Sequence, residues 1–345
     1  MSIIAPVIGI DLGTAYTKVY TKKKGITINE PTVAVVEKGR KNRVVYHGMD
    51  AQIAAARLEE GYAVIRPLQD GVITDFDSTV EILRYFVTNS ISYSVLGRPA
   101  VYVTYPGSLS PIERRALKDA VIRGGGNKKK VYLVDKAYAS ALGANLPVFE
   151  PTGSMIIDVG AGTTDIAVIS YGGTVISRSV RVGGDKMNEA IRHMVAQELN
   201  ISICDRIAEE LKIDLGAALP VQTGRSVMIR GREMLTGLPT TAEVTSAQLQ
   251  EALSEPCQAI LSAIKWVLER TPPELSADIM CNGIHLTGGS SQLYGFDQFI
   301  ASNLGLQVLT DAEPTDSAIR GLGYIIENIN ELTDLGRQPF LLEDA

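Results

Sequence analysis

The amino-acid sequence predicts an α/β protein built from two similar halves. Short apolar runs alternate with stretches of helical periodicity along the chain. A signature near the start, Ile10-Asp11-Leu12-Gly13-Thr14-Ala15, returns as Ile157-Asp158-Val159-Gly160-Ala161-Gly162-Thr163. The 345 residues, 45% of them hydrophobic, can fill two cores of ordinary domain size.

The elements follow in order. Val7 to Gly13 is an apolar run ending in Asp and Gly, which predicts a buried strand entering a tight turn. Residues 17–21 form the returning strand of a hairpin. After Asp75-Phe76-Asp77, Ser78 and Glu81 have capping-box spacing for a helix, with Ile82, Leu83, Phe86, Val87 and Ile91 as its apolar stripe. A strand is expected over Ala100–Thr104. Ser110-Pro111-Ile112-Glu113 supplies an N-cap, a first-turn proline and a reciprocal acid for a helix ending at Gly124-Gly125-Gly126. Val131–Val134 reads as a further strand.

The second half restarts the pattern. Met155 to Gly160 predicts a buried strand and turn, 166–169 its return, and 174–179 a sheet extension. Gly183-Gly184 opens a helix bearing Met187, Ile191, Met194, Val195 and Leu199. Thr245 and Gln248 cap a long helix that Pro256 is expected to kink or interrupt. Ile284–Thr287 is a strand leading into Gly288-Gly289. The tail after Ile329 reads as loosely attached.

Composition limits the function classes. A net charge of −6 forces no basic face, so no nucleic-acid partner is expected, while local basic patches remain compatible with anionic lipid. Cys204, Cys257 and Cys281 are odd in number and far apart. They predict small buried or half-buried thiols in a reducing compartment, with neither disulfide framework nor zinc site. The sequence has no apolar run of membrane-spanning length, and Met1–Pro6 lacks a signal-peptide core, so a cytoplasmic protein is expected.

The repeated turn carries the chemistry. Glycine lets backbone approach an anion closely, and successive turn N–H groups form a positively polarised nest. Two facing hairpins would clamp a polyphosphate from both sides. Asp11 and Asp158, at the strand ends, are placed to hold the waters of a magnesium ion, which prefers a few carboxylates plus phosphate oxygens. One such turn alone is usually only a hairpin; two in matching context are informative. A third turn, Thr287-Gly288-Gly289-Ser290-Ser291, suits close approach to a base or ribose.

These three turns together resemble the actin, sugar-kinase and heat-shock-chaperone ATPase superfamily. Further segments are similar to its MreB branch: Arg66-Pro67-Leu68-Gln69-Asp70-Gly71-Val72, Glu150-Pro151-Thr152-Gly153-Ser154, Gly183-Gly184-Asp185-Lys186-Met187, Ala208-Glu209-Glu210-Leu211-Lys212, Leu235-Thr236-Gly237-Leu238-Pro239 and Thr271-Pro272-Pro273-Glu274-Leu275. The resemblance spans about residues 7–329; MamK filaments are the nearest competing resemblance. It implies an actin-like ATPase fold: two duplicated ribonuclease-H-like domains, in four subdomains, around a nucleotide cleft. Domain I would be 1–147 plus 315–345, with a small subdomain near 31–68. Domain II would be 148–314, with a small subdomain near 185–245.

By the same resemblance, ATP or ADP with Mg²⁺ occupies the cleft. Gly13, Thr14, Ala15 and Tyr16 would contact phosphate from one side, and Gly160, Ala161, Gly162 and Thr163 from the other. Gly184, Asp185, Glu209 and Lys212 would line the nucleoside pocket, closed by Gly288, Gly289, Ser290 and Ser291. Read locally, Glu209 and Lys212 are one helical turn apart and equally fit a surface ion pair.

Three positions depart from the family. MreB proteins usually carry Glu-Glu-Pro where this chain has Asp135-Lys136-Ala137, and the second Glu helps orient the attacking water. An ammonium accepts no hydrogen bond, so Lys136 cannot do this, and Asp135 points elsewhere. Slow hydrolysis is expected, with Thr163 left to position water and Asp158 beside it. Lys18 stands where an apolar residue is common and is expected to neutralise phosphate. Tyr16 replaces a usual Asn. The function implied is an ATP-dependent filament for cell shape or intracellular organisation, self-associating in the cytoplasm. It would touch the inner membrane through Val95 and Leu96 or membrane-bound morphogenetic proteins. A sugar kinase on the same fold is the alternative of another class, but no base for a sugar substrate stands out.

Overall fold

The computed structural model describes residues 6–22, 24–39, 43–91, 97–221 and 224–334. Val95 and Leu96, expected to meet membrane, lie outside them. The first half runs β1 (Val7–Leu12), β2 (Tyr16–Thr21), β3 (Gly25–Pro31), β4 (Ala34–Glu37), β5 (Arg43–His47), α1 (Gly48–Ala55) and β6 (Tyr62–Ile65). It continues with β7 (Leu68–Gln69), β8 (Val72–Ile73), α2 (Phe76–Ser90), β9 (Ala100–Tyr105), α3 (Pro111–Arg123), β10 (Val131–Asp135) and α4 (Lys136–Gly143).

The second half runs β11 (Ser154–Val159), β12 (Thr164–Ser170), β13 (Gly173–Val180), α5 (Gly184–Leu199), β14 (Ile201–Ser202), α6 (Asp205–Leu215), β15 (Ser226–Glu233) and β16 (Pro239–Thr245). Then come α7 (Ser246–Arg270), α8 (Pro273–Asn282), β17 (Ile284–Thr287), a 3₁₀ turn at Gly289–Gln292, α9 (Phe296–Leu304), β18 (Val308–Thr310) and α10 (Ser317–Asp334).

The duplication read from the motif is a duplication of topology. One five-stranded sheet has the order β10-β9-β1-β2-β3, and the other β18-β17-β11-β12-β13. In each, three antiparallel strands are followed by two parallel additions beside the first. Asp11 pairs with Lys18 across the first hairpin, and Asp158 with Asp165 at the same register of the second. Two further sheets have three strands each, β5-β4-β6 and β14-β15-β16.

Both large sheets are apolar on both faces, as the continuous runs in β1, β9, β11 and β12 require. Helices α4 and α10 lie between them: Ala137, Tyr138, Leu142, Ile319, Leu322 and Ile326 share one core cluster with Ile156 and Ile169 of the second sheet. The two helices cross closely, since any Cβ on Gly143 or Gly321 would collide with the backbone of the other helix. The outer faces are covered by α2 and α3 on one side and by α5, α7 and α9 on the other.

Several local expectations are corrected. Helix α2 is capped by Asp75, whose carboxylate accepts from Ser78 N–H at 2.9 Å, one turn before the expected Ser78, and Ile91 falls just past its end. Helix α7 runs unbroken through Pro256, whose neighbours Leu253, Cys257 and Ile260 are fully packed. Core packing offsets the missing amide, and two of the three expected capping boxes, at Ser110 and Thr245, form. Residues 330–334, expected as loose tail, are the last turn of α10. Cys204 and Cys281 are exposed, and only Cys257 is buried.

Candidate functional site

The two signature turns are closed by the same bond. Gly13 N–H donates to Tyr16 O at 3.1 Å, and Gly160 N–H to Thr163 O at 2.8 Å. Their carbonyls are tied down by neighbours. Thr32 fastens the first turn through Oγ1 to Gly13 O and N–H to Ala15 O. The second is fastened by Gly184 N–H, Asp185 N–H and Ser290 Oγ. The amides of Thr14, Ala15, Ala161 and Gly162 find no protein acceptor among the described residues. Turn N–H groups without a protein acceptor suit an anion.

The turns face each other directly. A Cβ on Gly162 would run into Thr14 Oγ1 and stand 3.0 Å from Gly71 N and Asp70 Cα. The β7–β8 hairpin inserts there. Asp70 and Gly71 both have positive φ, 50° and 76°, the two-residue geometry that matches strand twist. Gly71 N–H donates to Thr14 Oγ1 at 3.2 Å. The third turn also converges. Gly288, at φ 88°, presses against the Val159 backbone where no side chain fits, and Ser290 bonds the second turn.

Glu209 and Lys212 are not a surface pair. Lys212 is buried, and its Nζ donates to Gly184 O at 3.1 Å and to Glu209 at 2.8 Å. Asn188 Nδ2 holds the same Glu209 oxygen at 2.6 Å. Asp185 sits alongside, its carboxyl raised by burial against the pull of Arg66 and Lys212. Thus Gly184, Asp185, Glu209, Lys212 and Ser290 gather beside the second turn.

Lys18 is placed differently from expectation. Its buried ammonium donates to Asp316 Oδ1 at 2.6 Å and to Thr315 O, tying β2 to the start of α10. Two of its three N–H donors are thus spent on bracing the first hairpin against α10. Tyr16 is 46% exposed, its ring turned to solvent at the start of β2.

Beneath the turns lies a group of carboxylates. Asp11 accepts from Thr104 Oγ1 at 2.6 Å, and Asp158 from Ser140 Oγ. Asp165 accepts from Gly107 N–H and Thr163 Oγ1, both at 2.9 Å. Asp135 caps α4 through Tyr138 N–H. Burial and then the charge of Asp165 push the Asp135 carboxyl up to about 6, and burial raises Asp165 although Lys136 opposes it. Lys136 Nζ lies 3.3 Å from Asp158 Oδ1. Burial disfavours its charge, but Asp158, Asp11 and Asp165 outweigh burial and hold the ammonium above its ordinary range.

Sequence reasoning missed Asp165, Thr104 and Ser140. Asp165 carried a signal: it occupies in the second hairpin the register that Lys18 occupies in the first. The other two are brought in by long-range packing of β9 and α4. Among the described residues no helix is long and apolar enough to cross a membrane.

Known proteins are similar to this chain in sequence and in fold. The MreB/Mbl protein family model matches residues 5–334. The cell shape-determining protein Mbl of Bacillus subtilis is 40% identical over 325 residues, covering 94% of this chain and 97% of that protein. The crystal structure of MreB5 of Spiroplasma citri bound to AMPPNP superposes with a TM-score of 0.88 at 30% identity, covering 96% of this chain and 99% of that one. The MamK double helical filament, at 20% identity and a TM-score of 0.77, shares the fold alone. The fold is therefore actin-like, and this chain belongs to the MreB/Mbl family.

Proposed function

We propose that the chain binds ATP and ADP between its two signature turns and polymerises with itself into cytoplasmic cytoskeletal filaments serving cell shape. The observation that carries this reading is the pair of duplicated turns, meeting at Thr14 and Gly162, with unpaired amides on both sides. The relatives support it: Mbl is named for determining cell shape, and the Spiroplasma protein is bound to a nucleotide analogue. We assign domain I to 1–147 plus 315–345 and domain II to 148–314, each with its small lobe. A nucleotide gripped from both sides would draw the halves together. A head-to-tail contact whose rotation does not close then gives an open filament.

The residues also fit a hydrated magnesium ion, which would neutralise phosphate charge. Asp158 Oδ1 is buried with no aligned hydrogen-bond donor, an acceptor suited to a metal-bound water, and Asp11 belongs to the same carboxylate group. Thr163 gives its hydroxyl proton to Asp165, so its oxygen lone pairs are free to accept from an attacking water. Lys136 occupies the place of an acceptor but offers only donors, so turnover is slow.

Light scattering and negative-stain microscopy with ATP, ADP and a non-hydrolysable analogue test the reading. ATP and the analogue should give filaments. Absence of nucleotide binding, or sugar-stimulated ADP release without polymer, would overturn it.

A further inference from the structure

The first signature turn stands where β1 finishes, and Asp135 where β10 finishes. At the opposite end of this sheet the parallel strands β1, β9 and β10 begin, with Ala100 N–H donating to Pro6 O at 2.9 Å. Four basic residues meet at that far end. Lys128, Lys129 and Lys130 lead from α3 into β10, and Arg98 leads into β9. Asn127 fastens the two segments together. Its N–H donates to Pro99 O at 2.8 Å, its Oδ1 accepts from Lys129 N–H at 3.0 Å, and its O accepts from Lys130 N–H at 2.8 Å. Lys130 O in turn accepts from Val101 N–H at 2.8 Å. The sheet thus holds the backbone of the cluster, while all four residues are exposed and none has an ion-pair partner among the described residues.

The chain carries a net charge of −6, so four unpaired cations at one corner are not part of a general basic background. Charges beyond ~8 Å are largely screened at physiological salt, and a surface touching this corner meets the local cations. Three of the four are lysines. They are compact, hydrated point charges that suit a diffuse anionic surface and lack the fork that reads one carboxylate or phosphate through two bonds. The sequence entering the corner is apolar, since Val95 and Leu96 precede Arg98 by three and two positions. Apolar residues beside a basic cluster combine the two signals that attachment to a bilayer needs. We propose that Arg98, Lys128, Lys129 and Lys130 bind anionic phospholipid headgroups at a bilayer surface, and that this charge selects the lipid. The surface is separate from the nucleotide site and does not depend on polymerisation.

Flotation of the full chain with vesicles in the presence of ADP tests it, because bound protein rises with the vesicles whereas free polymer sinks. Native protein should float with phosphatidylcholine vesicles carrying about one third phosphatidylglycerol, and not with phosphatidylcholine alone. Raising salt from about 50 mM to about 500 mM should release it. Joint Lys128→Gln, Lys129→Gln and Lys130→Gln substitution should weaken binding about a hundredfold, at roughly fivefold per lysine. Joint Lys128→Arg, Lys129→Arg and Lys130→Arg substitution should retain it. Joint Arg225→Gln, Arg230→Gln and Arg232→Gln substitution removes the same charge from exposed positions in and beside β15, and should leave binding near native. Equal loss in both glutamine variants would overturn the inference, because net charge alone would then govern binding. Native protein that floats equally well with neutral vesicles, or that resists salt, would assign attachment to apolar insertion and overturn it. Native protein that floats with neither vesicle, or that holds duplex DNA as tightly as anionic vesicles, would overturn it too. If a variant does not fold, the salt series and the two vesicle compositions on native protein decide the question.

Discussion

Asp135→Asn should stabilise the protein by an amount that grows as pH rises from about 4 to about 6 and is full above that. The carboxyl of Asp135 moves from 3.8 to about 6, through burial first and Asp165 second. A folded value above the unfolded one means the native state holds the proton more tightly between those limits. The associated stability is complete below pH ~4 and is lost as pH rises through about 6. At ~1.4 kcal/mol per pH unit the full loss is roughly 3 kcal/mol, and relaxation and coupling to Asp165 reduce it to about 1–2 kcal/mol. Asparagine removes the charge yet keeps an oxygen for Tyr138 N–H, so the cap on α4 survives. Urea unfolding of native and variant protein at pH 5 and pH 8 reads the effect. The variant should gain about 1–2 kcal/mol over native at pH 8 and clearly less at pH 5. Equal destabilisation at both pH values would refute the reasoning, because the carboxylate would then be needed as a cap and not penalised as a charge.

Further outcomes follow from the same geometry. Gly288→Ala should lower the melting temperature and cost about 2–4 kcal/mol, because a Cβ at φ 88° meets the Val159 backbone; an unchanged melt would contradict the placement. Lys212→Ala strips a buried ammonium from Gly184 O and Glu209, and should weaken nucleotide binding about tenfold in a fluorescence titration. Lys136→Glu should speed phosphate release; a rate no higher than native would remove Lys136 as the cause of slow turnover. Membrane contact predicts that Val95→Ser, Leu96→Ser reduces pelleting with anionic liposomes, and a native protein that does not pellet ends that proposal.

The large sheets were legible because their strands are buried on both faces. Continuous apolar runs such as Met155-Ile156-Ile157 declare themselves without tertiary context. The strands of the small sheets were not, although the resemblance set aside 31–68 and 185–245 as small subdomains: β5, β15 and β16 mix exposed and half-buried residues, with no run long enough to mark a strand. The repeat of Asp11 and Asp158 correctly located two matching turns and two matching sheets. It could not say what neighbours each aspartate meets, since Thr104, Ser140 and Lys136 arrive from separate elements. Lys18 shows the limit most clearly. Its position in the hairpin suggested a phosphate contact, but the partner that claims it, Asp316, is at the far end of the chain. Pro256 errs in the opposite direction: propensity predicts a kink or an interruption, and α7 continues past it on its packed face. Asp75 in place of Ser78 is a smaller displacement, a choice between two good caps three residues apart.

A crystal structure of this chain with AMPPNP is the most direct trial of the account. The β- and γ-phosphates should lie between the amides of Thr14 and Ala15 and those of Ala161 and Gly162, with Lys136 Nζ beside the terminal phosphate. Phosphates seated elsewhere, or turn amides bonded to protein instead of ligand, would contradict it.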